Sequence, residues 1–214
     1  MSRTALVAGA TGLVGLALLR QLAANTAYGE VRVLGRRSPP LQSGKLRFVA
    51  SDFGNLESLG AELAVDDIYC CLGTTLRKAG SRAAFERVDY HMVVDLARAA
   101  RKAGARRFLV VSAVGASTKS PAFYSRVKAR MEQAVSEVPF ETVQIVRPSL
   151  LIGDRAERRP GEHIAQKLAP LLAPFLAGPL AKYRPASADD VAAALVRLAF
   201  DGAGGAHAHE LPLA

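Results

Sequence analysis

Thr4-Ala-Leu-Val-Ala8-Gly9-Ala-Thr-Gly12-Leu-Val-Gly15 is the stretch that decides the fold. An apolar run ends in spaced glycines, and helical spacing follows from Leu13 to Asn25. A strand that feeds a helix through such a turn aims backbone N–H groups and the positive end of the helix dipole at one point, where a pyrophosphate can rest. The glycines divide the work: one makes the tight turn, one lets the backbone approach the phosphates, and one lets helix and strand pack closely. Gly9, Thr11, Gly12, Leu13, Val14 and Gly15 are therefore the candidate phosphate cradle. A glycine repeat alone is a weak signal, and the strand before it and helix after it supply the weight.

Outward from this turn, short apolar runs alternate with helix-period segments. Strands are expected at Thr4–Gly9, Val31–Gly35, Leu46–Ala50, Asp67–Cys71, Arg107–Ala113, Glu141–Arg147 and Ala208–Leu211, with helices near 12–25, 55–63, 81–103, 121–137 and 187–201. Such alternation means βαβ units, and so an α/β fold with a doubly wound, mostly parallel sheet. The unbroken apolar run Phe108-Leu-Val-Val111 fits a strand buried on both faces. No repeat or long linker divides the 214 residues, so one domain over 1–214 is expected, with 150–185 and 202–214 contributing a small substrate side.

Bulk composition excludes several classes. No apolar run approaches the roughly 18 residues of a membrane span, and Leu168 to Leu180 is broken by Pro170, Pro174 and Pro179. The start, Met1-Ser-Arg-Thr, lacks a signal-peptide pattern. The cysteines, Cys70 and Cys71, are adjacent and cannot staple a fold, which fits a reducing, cytoplasmic setting. The net charge of +9 comes from basic residues scattered along the chain with few aromatics between them. A polyanionic cofactor and a solvated basic surface explain that charge better than a nucleic-acid partner.

In a sheet of this kind, ligands bind beyond the carboxyl ends of the strands. The second strand ends in Gly35-Arg36-Arg37 with no carboxylate at its end. A carboxylate there would favour NAD, whereas an arginine fork suits the 2′-phosphate of NADP. NADPH/NADP is the expected cofactor, with Arg36 and Arg37 at its ribose phosphate; the plainer alternative is two solvated loop arginines. Asp52, after the third strand, either meets the adenine or caps the helix starting near Asn55. Leu72, Gly73 and Thr74 end the fourth strand, and Arg147-Pro148-Ser149 ends the sixth.

Tyr124 and Lys128 are four apart in a helix-period segment, so they share a face. A free phenol, with a pKa of about 10, is a poor proton donor at neutral pH. An ammonium about 5 Å away, at an effective dielectric near 20, is worth about 3 kcal/mol and eases the transfer. Ser112, at the end of the fifth strand, can hold a substrate oxygen. Tyr124, Lys128 and Ser112 are the catalytic candidates.

The glycine turn, Ser112 and Tyr124-x-x-x-Lys128 resemble the short-chain dehydrogenase/reductase superfamily. More narrowly, Tyr69-Cys-Cys-Leu-Gly-Thr-Thr75, Lys78-Ala-Gly80, Arg87-Val-Asp89, Asp154-Arg155 and Arg159-Pro-Gly-Glu162 resemble the Tat-interacting-protein-2-like oxidoreductases, an atypical branch. The similarity runs from about residue 4 to 200. It implies a Rossmann-type fold, NADPH binding and carbonyl reduction. It also implies that Gly9 to Gly15 hold the pyrophosphate, Arg36 meets the ribose phosphate, and Leu72 and Gly73 line the cofactor. Tyr124 would donate the proton, Lys128 would bind the nicotinamide ribose and ease proton release, and Arg147-Pro148 through Leu151 would border the nicotinamide.

Two departures stand out. Asp89 occupies the place where many relatives carry an asparagine for a proton relay, and an ionised aspartate cannot donate, so its role stays open. Ser112 is followed by Ala113 and Val114 rather than by further hydroxyls, leaving Ser112, Ser117 or no residue as the catalytic hydroxyl.

Other residues attract notice with less force. Cys70 and Cys71 should face opposite sides of the sheet as packing or cofactor lining. His207-Ala-His209 lacks a third ligand, so no metal site is expected. His163 reads as a helix-surface residue or an approach to the cleft, and Leu168 to Leu180 as lid, dimer contact or core. Asp189 and Asp190 read as helix caps. The expected function is NADPH-dependent reduction of a small or medium carbonyl compound by a monomer or homodimer. An NADPH-bound sensor or interaction protein is the alternative, and a nucleotide-sugar epimerase a weaker third.

Overall fold

A computed structural model of the chain describes residues 2–149, 151–152 and 185–213. Its strands are β1 (Arg3–Ala8), β2 (Tyr28–Gly35), β3 (Leu46–Ala50), β4 (Asp67–Cys70), β5 (Arg107–Val111), β6 (Thr142–Arg147), β7 (Leu151–Ile152), β8 (Ala186–Ser187) and β9 (Gly205–Glu210). Seven of them form one sheet in the order β3-β2-β1-β4-β5-β6-β9, with every pairing parallel. β7 and β8 form a separate parallel pair. Strand order reverses between β1 and β4, which opens a crevice at their carboxyl ends.

Helices α1 (Leu13–Ala24), α2 (Leu76–Ala79), α3 (Arg82–Glu86), α4 (Met92–Lys102), α5 (Phe123–Ser136) and α6 (Ala188–Leu198) complete the fold. Strand alternation splits the core in two. Ala5, Val7, Tyr69 and Leu109 pack with α1 and α6 on one face. Leu6, Ala8, Ile68, Phe108 and Val110 pack with α4 and α5 on the other. Leu18, Leu19 and Leu22 of α1 are fully buried, each worth about 1.5–3 kcal/mol of transfer free energy. As expected from their adjacency, Cys70 joins one core and Cys71 packs against the other.

Four expectations need correction. The segment near 81–103 is not one α-helix: a π-helical stretch, Arg87–His91, lies between α3 and α4. Near 55–63 the chain forms a 3-10 segment, Glu57–Leu63, broken at Gly60 by a positive φ of 33°. β2 begins three residues early, at Tyr28, which pairs with Arg3 of β1 and hydrogen-bonds Asp67 through its hydroxyl. The last strand runs Gly205–Glu210 rather than Ala208–Leu211, held along its whole length by β6. The capping expectation fared better: Ser187 and Asp190 form a reciprocal capping box at the start of α6.

The amino-terminal edge of the sheet is closed by a charge network. Asp67 is fully buried; the Tyr28 hydroxyl donates to its Oδ2 at 2.6 Å, and Arg107 and Arg3 pair with it. Tyr69 meets the same hydroxyl at 2.8 Å. Burial, then the neighbouring carboxylate, holds the Tyr28 phenol above its ordinary range.

Candidate functional site

The site is built at the opposite, carboxyl-terminal edge, beginning with the glycine turn. Gly9 leaves β1 at φ 83°, and a Cβ there would stand 2.4 Å from the Cys71 carbonyl oxygen. At Gly15 a Cβ would stand 2.3 Å from the Gly9 carbonyl oxygen. The Gly12 N–H donates to that same Gly9 oxygen at 3.0 Å. α1 starts at Gly12 without a side-chain cap, and no acidic residue stands in its first turn. The helix N-terminus is thus free of carboxylate competition, as an anion-binding turn requires. Gly9→Ala is expected to destabilise the fold by about 2–3 kcal/mol, from left-handed strain plus the clash with backbone, measurable by urea unfolding.

Arg36 and Arg37 follow β2 and are both exposed. The two readings of Asp52 part here: its Oδ1 accepts the Gly54 N–H at 2.8 Å, within a turn that carries Phe53 at φ 66°. Asn55 Oδ1 accepts the Ser58 N–H at 3.3 Å, while the Asp52 carboxylate closes its own turn and does not reach the 3-10 segment.

The centre of the site is a buried ion pair. Lys128 Nζ lies 2.8 Å from Asp89 Oδ1, with the two side chains 4% and 1% exposed. Asp89 Oδ2 also accepts the Thr74 N–H at 2.8 Å. One carboxylate therefore ties α5 to the loop after β4, and the π-helical stretch is what carries Asp89. Such stretches insert one extra residue into a turn and recur at functional sites. Gly73 completes the contact, for a Cβ there would sit 3.4 Å from Asp89 Oδ1 and 3.9 Å from Lys128 Nζ. Burial works against the Lys128 charge, but the Asp89 carboxylate and the Tyr124 phenol outweigh it and raise its pKa.

Ser112 is buried at the end of β5, and its Oγ has no hydrogen-bond partner among the described residues. An unpaired buried hydroxyl is costly, and a substrate oxygen is the kind of group that would satisfy it. Tyr124, by contrast, is 37% exposed, its ring set 5.6 Å from Phe85. Pro148 is buried, and its carbonyl accepts the Val114 N–H at 2.9 Å, tying the loop after β6 to the one after β5. Ser117 lies exposed on that loop. The Cys70 thiol, pushed up to about 12 by burial, stays protonated. Thiolate chemistry is therefore not available to it.

The structure thus brings Ser112, Lys128, Gly73, Thr74 and the glycine turn to the same edge of the sheet. Leu150, Asp154, Arg155, Arg159 to Glu162, His163 and Leu168 to Leu180 lie outside the described residues. The Asp89–Lys128 pair and the bidentate Arg147–Glu132 pair are not evident from the sequence; the acidic substitution at 89 was the one hint. His207 and His209 bond Gly204 and Gln144, and no group of three metal ligands occurs among the described residues.

The donor set fits a dinucleotide: a glycine cradle without room for a Cβ, a buried cationic side chain, and an unsatisfied hydroxyl beyond it. Comparison with known proteins agrees. The NAD(P)H-binding family model matches residues 9–201. Protein HTATIP2 of Rattus norvegicus is 34% identical over 170 residues, 78% of this chain and 70% of that one. The protein fmp52, mitochondrial, of Emericella nidulans is 35% identical over 189 residues, 85% of this chain and 77% of its own. In fold, the chain resembles the Bordetella bronchiseptica enzyme WbmH in complex with NAD+ (TM-score 0.72, 13% identity, 100% of this chain and 77% of that one). It also resembles a short chain dehydrogenase family protein from Francisella tularensis (TM-score 0.66, 14% identity, 97% of each chain). The chain belongs to the NAD(P)H-binding family and is a homologue of HTATIP2 and fmp52.

Proposed function

We propose that the chain is an NADPH-dependent reductase of a small or medium carbonyl compound. Two observations support this reading: a buried, unsatisfied Ser112 hydroxyl at the end of β5, and a buried Lys128 on the same helix as an open phenol. NADPH, when bound, supplies hydride to the carbonyl carbon. The chain's own part is positional and protonic. The amides after Gly12 hold the pyrophosphate, and Leu72, Gly73, Thr74, Pro148 and Leu150 line the cofactor, with Asp52 at the adenine. Ser112 donates a hydrogen bond to the carbonyl oxygen, and Tyr124 passes its phenolic proton to the developing alkoxide. Lys128, held as an ammonium by Asp89, binds the nicotinamide ribose and favours loss of that proton.

The reading covers one domain over 1–214, monomeric or homodimeric, with 150–185 and 202–214 on the substrate side. Cytoplasmic residence belongs to the same proposal; the relatives named mitochondrial supply the alternative, and cell fractionation decides it. No described helix is long and apolar enough to cross a membrane.

The test is NADPH consumption across a panel of aldehydes and ketones, beside titrations with NADPH and NADH. Turnover with some carbonyl compound is expected; NADPH binding with no turnover would favour the sensor reading. Arg36→Ala is expected to weaken NADPH about 10- to 100-fold, the worth of a charge-assisted hydrogen bond, and to leave NADH affinity nearly unchanged. Equal losses for both cofactors would remove Arg36 from the 2′-phosphate.

A further inference from the structure

Most of the described salt bridges lie near the amino edge of the sheet, and a set of exposed cations lies at the carboxyl edge. Near the amino edge, Arg32 and Arg47 pair with Glu30 and Glu62, Arg106 with Glu141, Lys102 with Glu57, and Arg107 and Arg3 with Asp67. At the carboxyl edge, Arg36, Arg37, Arg77, Lys78, Arg82 and Lys119 are all exposed. None of them pairs with a carboxylate among the described residues. Three acids toward that edge pair with other cations: Asp89 with Lys128, Glu86 with Arg130 and Glu132 with Arg147.

These open cations fall into two groups. Arg36 and Arg37 follow β2, where the cofactor's adenosine end is proposed to lie. The rest lie on α2, on α3 and in the loop that leads into α5, the helix that carries the phenol. Arg77 and Lys78 belong to α2, directly beyond the Gly73 loop. Arg82 opens α3, its guanidinium carbon 5.1 Å from the centre of the Phe123 ring. Phe85 touches both Phe123 and Tyr124, with centroids 5.8 and 5.6 Å away, so the Arg82 fork rests on an aromatic cluster that includes the proton donor.

We propose that the substrate reduced here is anionic, carrying a carboxylate or phosphate that Arg82 binds, with Arg77, Lys78 and Lys119 drawing it in. This rests on the reductase reading for the carbonyl itself. An arginine stacked on an aromatic ring presents its donors in a fixed plane that matches either oxyanion. A cluster of one sign within a Debye length also concentrates a small anion at the mouth.

The test uses the full chain loaded with NADPH and three probes of similar size: 4-carboxybenzaldehyde, 4-formylphenyl phosphate and the neutral 4-methylbenzaldehyde. Binding is read by titration and turnover by NADPH consumption. At least one anionic probe is expected to bind about tenfold tighter than the neutral one, with the preference shrinking as salt rises; which one it is separates carboxylate from phosphate. Arg82→Glu is expected to abolish the preference, and Arg82→Lys to restore part of it. Equal response to all three probes, including none to any, overturns the proposal. So does a loss of NADPH affinity in Arg82→Glu that matches the loss of probe affinity, because the cation would then serve the cofactor. If the anion preference persists but turnover ignores Tyr124, the reductase reading fails and the anion site stands.

Discussion

Carbonyl reduction by the Tyr124→Phe variant is expected to run about 10²–10⁴-fold slower than by the wild type, the usual worth of a positioned general acid. The substitution removes one oxygen and leaves the ring contact with Phe85 in place. Because the ring is 37% exposed, unfolding midpoints should barely move. Among the described residues, the cation on the same helix is no substitute for the phenol. Lys128 holds its proton against Asp89, and its pKa is raised rather than lowered, so it is a poor donor. Single-turnover NADPH consumption measures the chemical step directly. A variant that keeps wild-type rates would remove Tyr124 from the chemistry, while unchanged NADPH binding confirms that only the proton was lost.

Lys128→Met is expected to cost about 3–5 kcal/mol of stability, because it strands the Asp89 carboxylate at 1% exposure. Adding Asp89→Asn should recover most of that loss, since a neutral amide can still accept the Thr74 N–H. The double variant is thus expected to be more stable than the single one while remaining inactive. Chemical denaturation of the three proteins gives the coupling energy. If the double variant is as unstable as the single one, the pair is a packing contact and not a charge compensation. The pH dependence has a defined sign. A lysine whose pKa is raised in the folded state contributes stability that is complete below its ordinary value of 10.5 and is lost as pH climbs through the raised value. The gap between wild type and Lys128→Met should therefore narrow in strong alkali.

The strands were legible because burial on both faces leaves a plain mark, unbroken apolar runs such as Phe108 to Val111. The glycine turn was legible because steric exclusion leaves no other residue for Gly9 or Gly15. The π-helical stretch was not, since one extra residue in a turn alters an apolar repeat by less than its own irregularity. For the same reason the inward orientation of Asp89 could not be read, and its acidic character looked like a defect in a relay. The ion pair shows that the carboxylate instead neutralises Lys128. Asp67 looked like an ordinary strand start, because its partners Arg3, Tyr28 and Arg107 are distant in the chain and meet only when three strands align. Asp52 was ambiguous for a local reason: an Asx turn and a helix cap use the same residue types.

β9 has a consequence for how the molecule is made. Its partner β6 begins at Thr142, yet the matching residue is Gly205, so a ribosome must deliver more than sixty further residues before that ladder can zip. Until then the row of amides and carbonyls along Val143 to Val146 stays open to any neighbouring nascent chain. Synthesis at high density should therefore favour clumping at this seam, and a holdase that masks it should raise the yield of native protein.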